Sequence, residues 1–199
     1  MILPNQVPES KIGKLEDWFG TRALRTNIGG SVLAGPLVCA NSHGMVLPRS
    51  IWDEELDVLK SLSDVNITVA QTKKTAYGNL VLANDKGAVA DPRLGKKDAE
   101  LISDTLGVEV VPGEIAGLPY VGSLATATNK GVMAHPLIGP EEEDLLGDVL
   151  KVPVGVGTVN CGIPYIATGL IGSGSVVVAG SLSTGPELFM IGQALDVAD

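Results

Sequence analysis

Asn41, Ser42, His43, Gly44, Met45, Val46, Leu47 and Pro48 spell a polar turn, then an apolar run, then proline. The phrase returns as Asn84, Asp85, Lys86, Gly87, Ala88, Val89, Ala90, Asp91, Pro92 and again as Asn129, Lys130, Gly131, Val132, Met133, Ala134, His135, Pro136. A weaker copy runs Gly172, Ser173, Gly174, Ser175, Val176, Val177, Val178, Ala179, which puts the turn glycines at 44, 87, 131 and 174. A fixed period of about 44 residues means that one supersecondary unit has been copied and stacked.

Working outward, each turn leads into an acid-rich helical stretch ending in leucine: Asp53 to Leu62, Lys97 to Leu106, Glu141 to Leu150 and Pro186 to Leu195. Leu56, Leu59 and Leu62, or Leu145, Val149 and Leu150, gather on one helical side with carboxylates opposite, as expected of helices lying on a sheet. The stretch after each helix alternates, as in Ile67 and Val69 or Val108 and Val110, and reads as a strand. Polar or glycine-rich closing turns follow at Asn27 to Ser31, Thr75 to Asn79, Gly117 to Ser123 and Gly157 to Gly162. Met1, Ile2, Leu3, Pro4 stands 44 residues before Met45, Val46, Leu47, Pro48, and Pro8 to Trp18 supplies a helix in register. The expectation is a single domain over 1–199, with repeats at 1–31 (partial), 32–77, 78–121, 122–166 and 167–199. The units are short, and no distinct polar capping repeat marks either end, which favours a closed ring over an open solenoid.

The net charge of −9 and pI near 4.7 argue against coating nucleic acid through an overall positive field. Val152 to Pro186 carries no charge, yet Pro153, Gly155, Gly157, Pro164, Gly169 and Gly172 interrupt every stretch long enough for a membrane span. Cys39 and Cys161 form no paired motif, which fits a reducing cytosol and a cytoplasmic protein. Two Cys and two His, widely spaced, lack the ligand pattern of a structural zinc site, so no metal and no cofactor is expected. Glu141, Glu142, Glu143 and Asp144 read as the solvated first turn of a helix.

Thr26, Asn27, Ile28, Gly29, Gly30, Ser31; Ala40 to Gly44 with Leu47 and Pro48; Gly78, Asn79; Gly157, Thr158, Val159, Asn160; and Ser183, Thr184, Gly185, Pro186, Glu187 carry a resemblance along the whole chain. It resembles the translation initiation factor 6 family of archaea and eukaryotes. The resemblance implies an α+β pentein fold, a closed five-bladed α/β propeller with pseudo-fivefold symmetry, whose first repeat is here incomplete at the N-terminus. It implies no enzyme. The implied role is binding to the large ribosomal subunit, prevention of its association with the small subunit, and a part in large-subunit biogenesis.

Penteins also include enzymes that modify guanidino groups through a cysteine, a histidine and carboxylates. His43 and His135 read as equivalent turn residues of two repeats, which speaks against a dedicated catalytic pair. A third reading places a small ligand in an axial channel. The closing turns should share one end of the ring and form a flat polar face. Expected contacts with the ribosome are Asn27, Asn41, Ser42, His43, Asn79 and Asn160, with ribosomal protein as the main partner and limited RNA contact near Lys73, Lys74, Arg22 or Arg25. No membrane and no free DNA enter as partners, and with no exposed apolar surface legible a monomer is expected.

Members of the family normally carry about twenty more residues at the start, supplying the first strand and turn, and a ring without them exposes a strand edge. A version extended at its N-terminus should therefore melt at a higher temperature than this chain, and equal midpoints would overturn the point.

Overall fold

A computed structural model describes residues 1–62 and 64–197. The first unit holds strand β1 (Ile2–Leu3), helix α1 (Glu9–Phe19) and strand β2 (Leu24–Arg25). The second holds α2 (Ala34–Leu37), β3 (Cys39–Ala40), β4 (Gly44–Leu47), α3 (Asp53–Lys60) and β5 (Asn66–Val69). The third repeats this as α4 (Tyr77–Leu80), β6 (Val81–Ala83), β7 (Ala88–Ala90), α5 (Lys96–Leu106) and β8 (Val110–Pro112). The fourth runs α6 (Val121–Leu124), β9 (Ala125–Ala127), β10 (Val132–Ala134), α7 (Pro140–Leu150) and β11 (Val154–Val156). The last has a 3-10 turn over Ile166–Thr168, then β12 (Leu170–Gly172), β13 (Val177–Ala179) and α8 (Gly185–Ala194).

Among the described residues five small sheets result, so the architecture mixes α and β throughout. In the three-stranded sheets the middle strand is antiparallel to the strand before it and parallel to the strand after the helix: Val132 pairs with Ala127 on one side and Val154 on the other. The hairpin partner is reached by a tight turn, and the parallel partner by a helical crossover. Glycine or proline leads into α1, α5, α7 and α8, and a left-handed residue ends α1, α5 and α7. Pro140 opens α7 behind Gly139, and Gly107, at φ 66°, ends α5.

Each core is filled mainly by one unit's own strands and helices and is closed by residues of the unit before it. Along β4, Met45 and Leu47 join a cluster with Ile28 and Leu59, whereas Val46 joins the next one, with Tyr77, Ile102 and Leu106. On β7, Ala88 and Ala90 face backward while Val89 faces forward, beside Ile115, Leu124 and Leu146. On β10, Val132 and Ala134 face backward, and Met133 reaches the last cluster with Val159, Ile166 and Leu195. The period-two alternation of a strand thus splits each middle strand between two neighbours.

Three sequence expectations need correction. The residues from 75 to 79 and from 117 to 123 were expected as turns, but they run into short helices, α4 and α6, matched by α2 and the 3-10 turn. These pack in series, α2 on α4 and α4 on α6, because Gly78 and Gly122 have no side chain: a Cβ there would lie 1.8 Å from the Gly35 carbonyl oxygen and 2.0 Å from that of Gly78. Second, the glycine register fails in the last unit. Asn41, Asn84, Thr128 and Ser173 hold equivalent turn positions, each N–H donating three residues ahead, so Val176 and not Gly174 matches Gly44. Third, His43 and His135 are not equivalent. His43 lies inside a turn with Lys86 as its counterpart, while His135 follows the strand that leaves the next turn but one.

The turns also join unit to unit. Asn84 Oδ1 accepts the N–H groups of Lys86 and Gly87 at 2.9 and 3.1 Å, and its Nδ2 donates to Thr128 O and Leu150 O of the following unit at 3.0 and 2.8 Å. Asn41 does the same with Asn84 O and Leu106 O. Gly44, Gly87 and Gly131 leave room for the carbonyl ends of α5, α7 and α8: a Cβ on Gly131 would lie 1.8 Å from Ala194 O. Asn84 is buried, and losing its amide leaves backbone groups unpaired. Asn84→Ala should lower unfolding free energy by at least about 2 kcal/mol in urea titration, with the denaturant slope unchanged.

Candidate functional site

The middle strands divide the molecule into two ends. The tight turns, including Asn41 to Gly44 and Asn84 to Gly87, mark one; the loops after the strands, including Pro48 to Trp52, and the closing loops after the parallel strands mark the other.

At the turn end, Ser42, Asp85 and Asn129 stand at one position of successive turns and are joined side chain to side chain. Asp85 Oδ1 and Oδ2 accept Ser42 N–H at 2.8 Å and Ser42 Oγ at 2.6 Å, and Asn129 Nδ2 donates to Asp85 Oδ2. Burial alone would raise the Asp85 carboxyl, but these hydrogen bonds hold it below its ordinary value. Together with Asn41, Asn84, Thr128 and Ser173 they line a polar cavity of about 220 Å³.

At the loop end, a carboxylate at the third helical position staples α3, α7 and α8 to the loop of the preceding unit. Glu55 accepts the N–H groups of Gly29 and Gly30 at 2.6 and 2.8 Å, and that of Trp52 at 3.0 Å. Glu142 does the same for Ala116, Gly117 and Gly139, and Glu187 for Cys161, Gly162 and Thr184. Asp98 holds this position in the third unit, is one methylene shorter, and instead receives Tyr77 Oη at 3.4 Å. The hydrogen bond from Thr158 Oγ1 and the amides of Thr184 and Gly162 hold the Glu187 carboxyl down to about 2. For Glu142 burial pulls upward, but the amides of Gly139, Gly117 and Ala116 outweigh it and its carboxyl lies below the ordinary value.

The loop end is not the polar face the sequence led us to expect. Leu33, Tyr120 and Tyr165 stand at one equivalent position, just before each short helix, and all three are exposed. Leu137 and Leu182 share another, three residues past the strand end, and are 75% and 70% exposed. The third unit differs: Arg93 takes the place of Leu137, is paired with the buried Asp91 at 2.7 Å and lies 4.8 Å above the Tyr120 ring. Side chains that interrupt polar loops singly in sequence fall together at one end because the units repeat.

The six expected contact residues divide between the ends. Asn41, Ser42 and His43 lie at the turn end, Ser42 and His43 exposed; Asn27, Asn79 and Asn160 lie at the loop end. Asn27 Oδ1 accepts the Asn5 N–H, and Asn79 sits half-buried on α4. Asn160, at φ 49°, lays its amide where side chains on Gly169 or Gly180 would stand, since Cβ atoms there would come within 2.5 and 2.1 Å of it. Cys39 lies in the core with its thiol pushed up to about 12 by burial, which removes it as a nucleophile. Among the described residues no group of three or more His, Cys, Asp or Glu could hold a metal ion, and no helix is long and apolar enough to cross a membrane.

The geometry is that of a repeat protein whose loops and turns form two extended surfaces. Comparison with known proteins adds that the model of the eIF-6 family matches residues 1–194. Translation initiation factor 6 of Nitrosopumilus maritimus is 48% identical over 194 residues, covering 98% of this chain and 88% of that protein. Its counterparts in Methanocaldococcus jannaschii and Pyrococcus furiosus are 42% and 43% identical, again over 98% of this chain and 87% and 88% of theirs. The chain belongs to the eIF-6 family, which is named for a translation factor and not for an enzyme.

The staples tie stability to pH. The folded Glu187 carboxyl lies below its ordinary value of 4.5, so the stabilisation it supplies is complete above that value and is lost as pH falls toward about 2. The stability difference between the parent and Glu187→Gln, measured by urea titration, should be largest near neutral pH and shrink steadily between pH 4.5 and about 2.

Proposed function

We propose that this protein binds the large ribosomal subunit, prevents its association with the small subunit and takes part in large-subunit biogenesis in the cytoplasm. The observation that carries the reading is the match to the eIF-6 family over residues 1–194, with relatives named translation initiation factor 6. A role in translation rests on that membership. The finer steps rest on the chemistry of the surface and on a pentein arrangement, in which we propose that the five small sheets close as a five-bladed α/β ring.

Blocking subunit joining needs occupancy of a surface and no bond-making. The loop end is suited to docking: exposed Leu33, Tyr120, Tyr165, Leu137 and Leu182 offer apolar area for desolvation, and Arg93 offers a cation among them. Asn79 lies at this end and remains a proposed contact, and with Asn27 and Asn160 it makes the loop end the proposed docking face. Acidic side chains elsewhere suit basic ribosomal proteins better than bare RNA. A second reading rests on the polar cavity at the turn end, which is large enough for a small ligand.

Sedimentation of purified large and small subunits with the protein, under conditions that drive their association, decides between them. Co-migration with the large subunit and loss of joined particles are expected; a folded protein that does neither overturns the proposal in favour of the ligand reading. Leu137→Glu should weaken large-subunit binding by about tenfold or more, as for a buried interface anchor, while leaving the thermal melt unchanged. Ser42→Arg, at the opposite end, should leave binding intact; the reverse result would move docking to the turns.

A further inference from the structure

In three units the backbone N–H of the outward residue at the loop end meets a side-chain acceptor, and each unit supplies it differently. In the third the Asp91 carboxylate accepts the Arg93 N–H at 2.8 Å. In the fourth His135 Nδ1 accepts the Leu137 N–H at 3.1 Å. In the last the matching place is Gly180, which has no side chain, and Asn160 reaches over from the loop after β11 so that its Oδ1 accepts the Leu182 N–H at 3.4 Å. A Cβ on Gly180 would lie 2.1 Å from that oxygen, so the amide fills the space that the carboxylate and the imidazole fill in the other two units. The same backbone turn runs beneath all three, with the N–H groups of Leu94, Ile138 and Ser183 donating to the carbonyls of Asp91, His135 and Gly180. The second unit has Pro48 at this place, which offers no acceptor, and its outward residue is the small polar Ser50.

Three unlike side chains converging on one amide hold the residue that carries it, and they differ in how they respond to protons. Burial would raise the Asp91 carboxyl, but the Arg93 guanidinium and amide keep it below its ordinary value, so it stays charged and accepting through the neutral range. The Asn160 amide does not titrate. His135 does. Its Nδ1 accepts the Leu137 N–H only while it carries no proton, which places the proton of the neutral ring on Nε2. The imidazolium bears N–H on both nitrogens and sets donor against donor at Leu137.

His135 is 7% exposed and meets the Tyr165 ring edge-on at 6.4 Å. Strands β10 and β11, its own loop from 136 to 139 and the loop from 157 to 165 carry no charge; the loop from 113 to 118 carries Glu114, which is exposed. On α7, Glu141, Glu143 and Asp144 are exposed, and the carboxylate that acts on the ring is Glu142, already committed to the amides of Ala116, Gly117 and Gly139. Burial lowers the imidazole from its ordinary value of 6.5 and outweighs the upward pull of Glu142, so the accepting form prevails at neutral pH and is lost only as pH falls below that value. We infer that His135 is the positioning residue of Leu137 and that its protonation releases this anchor, so that the grip of the loop end on the large subunit weakens in acid. The coupling to the large subunit rests on the docking reading proposed above; the hold of His135 on Leu137 stands without it.

Nuclear magnetic resonance of the free protein tests that hold. As pH is lowered from about 7.5 to about 5, the Leu137 amide signal should move along one titration curve with the His135 ring, while the Arg93 and Leu182 amides do not follow it. In His135→Asn, whose side-chain oxygen accepts the same amide without titrating, the Leu137 signal should stay still. A Leu137 amide that ignores the His135 titration overturns the inference. Sedimentation with purified large subunits over the same range tests the coupling. Parent affinity should fall by up to about tenfold relative to His135→Asn, as for loss of a buried anchor, and His135→Ala should bind at neutral pH as weakly as the acidified parent. Equal losses in the parent and in His135→Asn overturn the coupling. A parent that fails to bind at neutral pH defeats the docking reading instead, and the amide titration then decides the role of His135 by itself.

Discussion

Every middle strand has its side chains divided between two cores. Met45 and Leu47 on one side of β4 and Val46 on the other belong to different clusters, so removing either neighbour strips a whole face of the strand. No unit buries all of its apolar surface alone, so stability draws on the boundaries between units as well as on each unit's own core. The other features serve those boundaries: glycines where a carbonyl must approach, amides that reach into the following turn, and carboxylates that hold the preceding loop.

Seen this way, a residue's type is set by which boundary it meets. Asn41 and Asn84 need both an acceptor for their own turn and a donor for the next one, and an amide supplies both. Thr128 and Ser173 serve only their own turn, their hydroxyls accepting its amides and donating to Gly131 O and Val176 O. The loop face and the outer helix face are freer. They are the places where one unit departs from its siblings: Arg93 in place of a leucine, Phe189 in place of a carboxylate.

The period, the order of strand and helix and the helical limits were legible because they rest on residue patterns ten or more positions long. Asp53 to Leu62 was expected where α3 runs from Asp53 to Lys60, and Glu141 to Leu150 where α7 runs from Pro140 to Leu150. The inner helices were not legible, since four residues such as Ala34–Leu37 carry too little periodicity and their helicity depends on packing against the next copy. The last turn departs from the glycine register because the shared chemistry is a side-chain oxygen that asparagine, threonine and serine all provide. The apolar surface is not legible for a related reason: Leu33, Tyr120 and Tyr165 are isolated along the chain and fall together only after folding.

The short side chain of Asp98 bears on how the molecule moves. Its counterparts Glu55, Glu142 and Glu187 each grip backbone amides of the preceding loop, while Asp98 stops at the Tyr77 hydroxyl. The loop from 70 to 76 is held instead by Thr72, whose hydroxyl meets Tyr77 and the Lys74 amide. Neutral hydroxyl contacts are weaker than carboxylate–amide ones, so local opening costs less here than at the three boundaries gripped by glutamate. Lys73 and Lys74 ride on that segment.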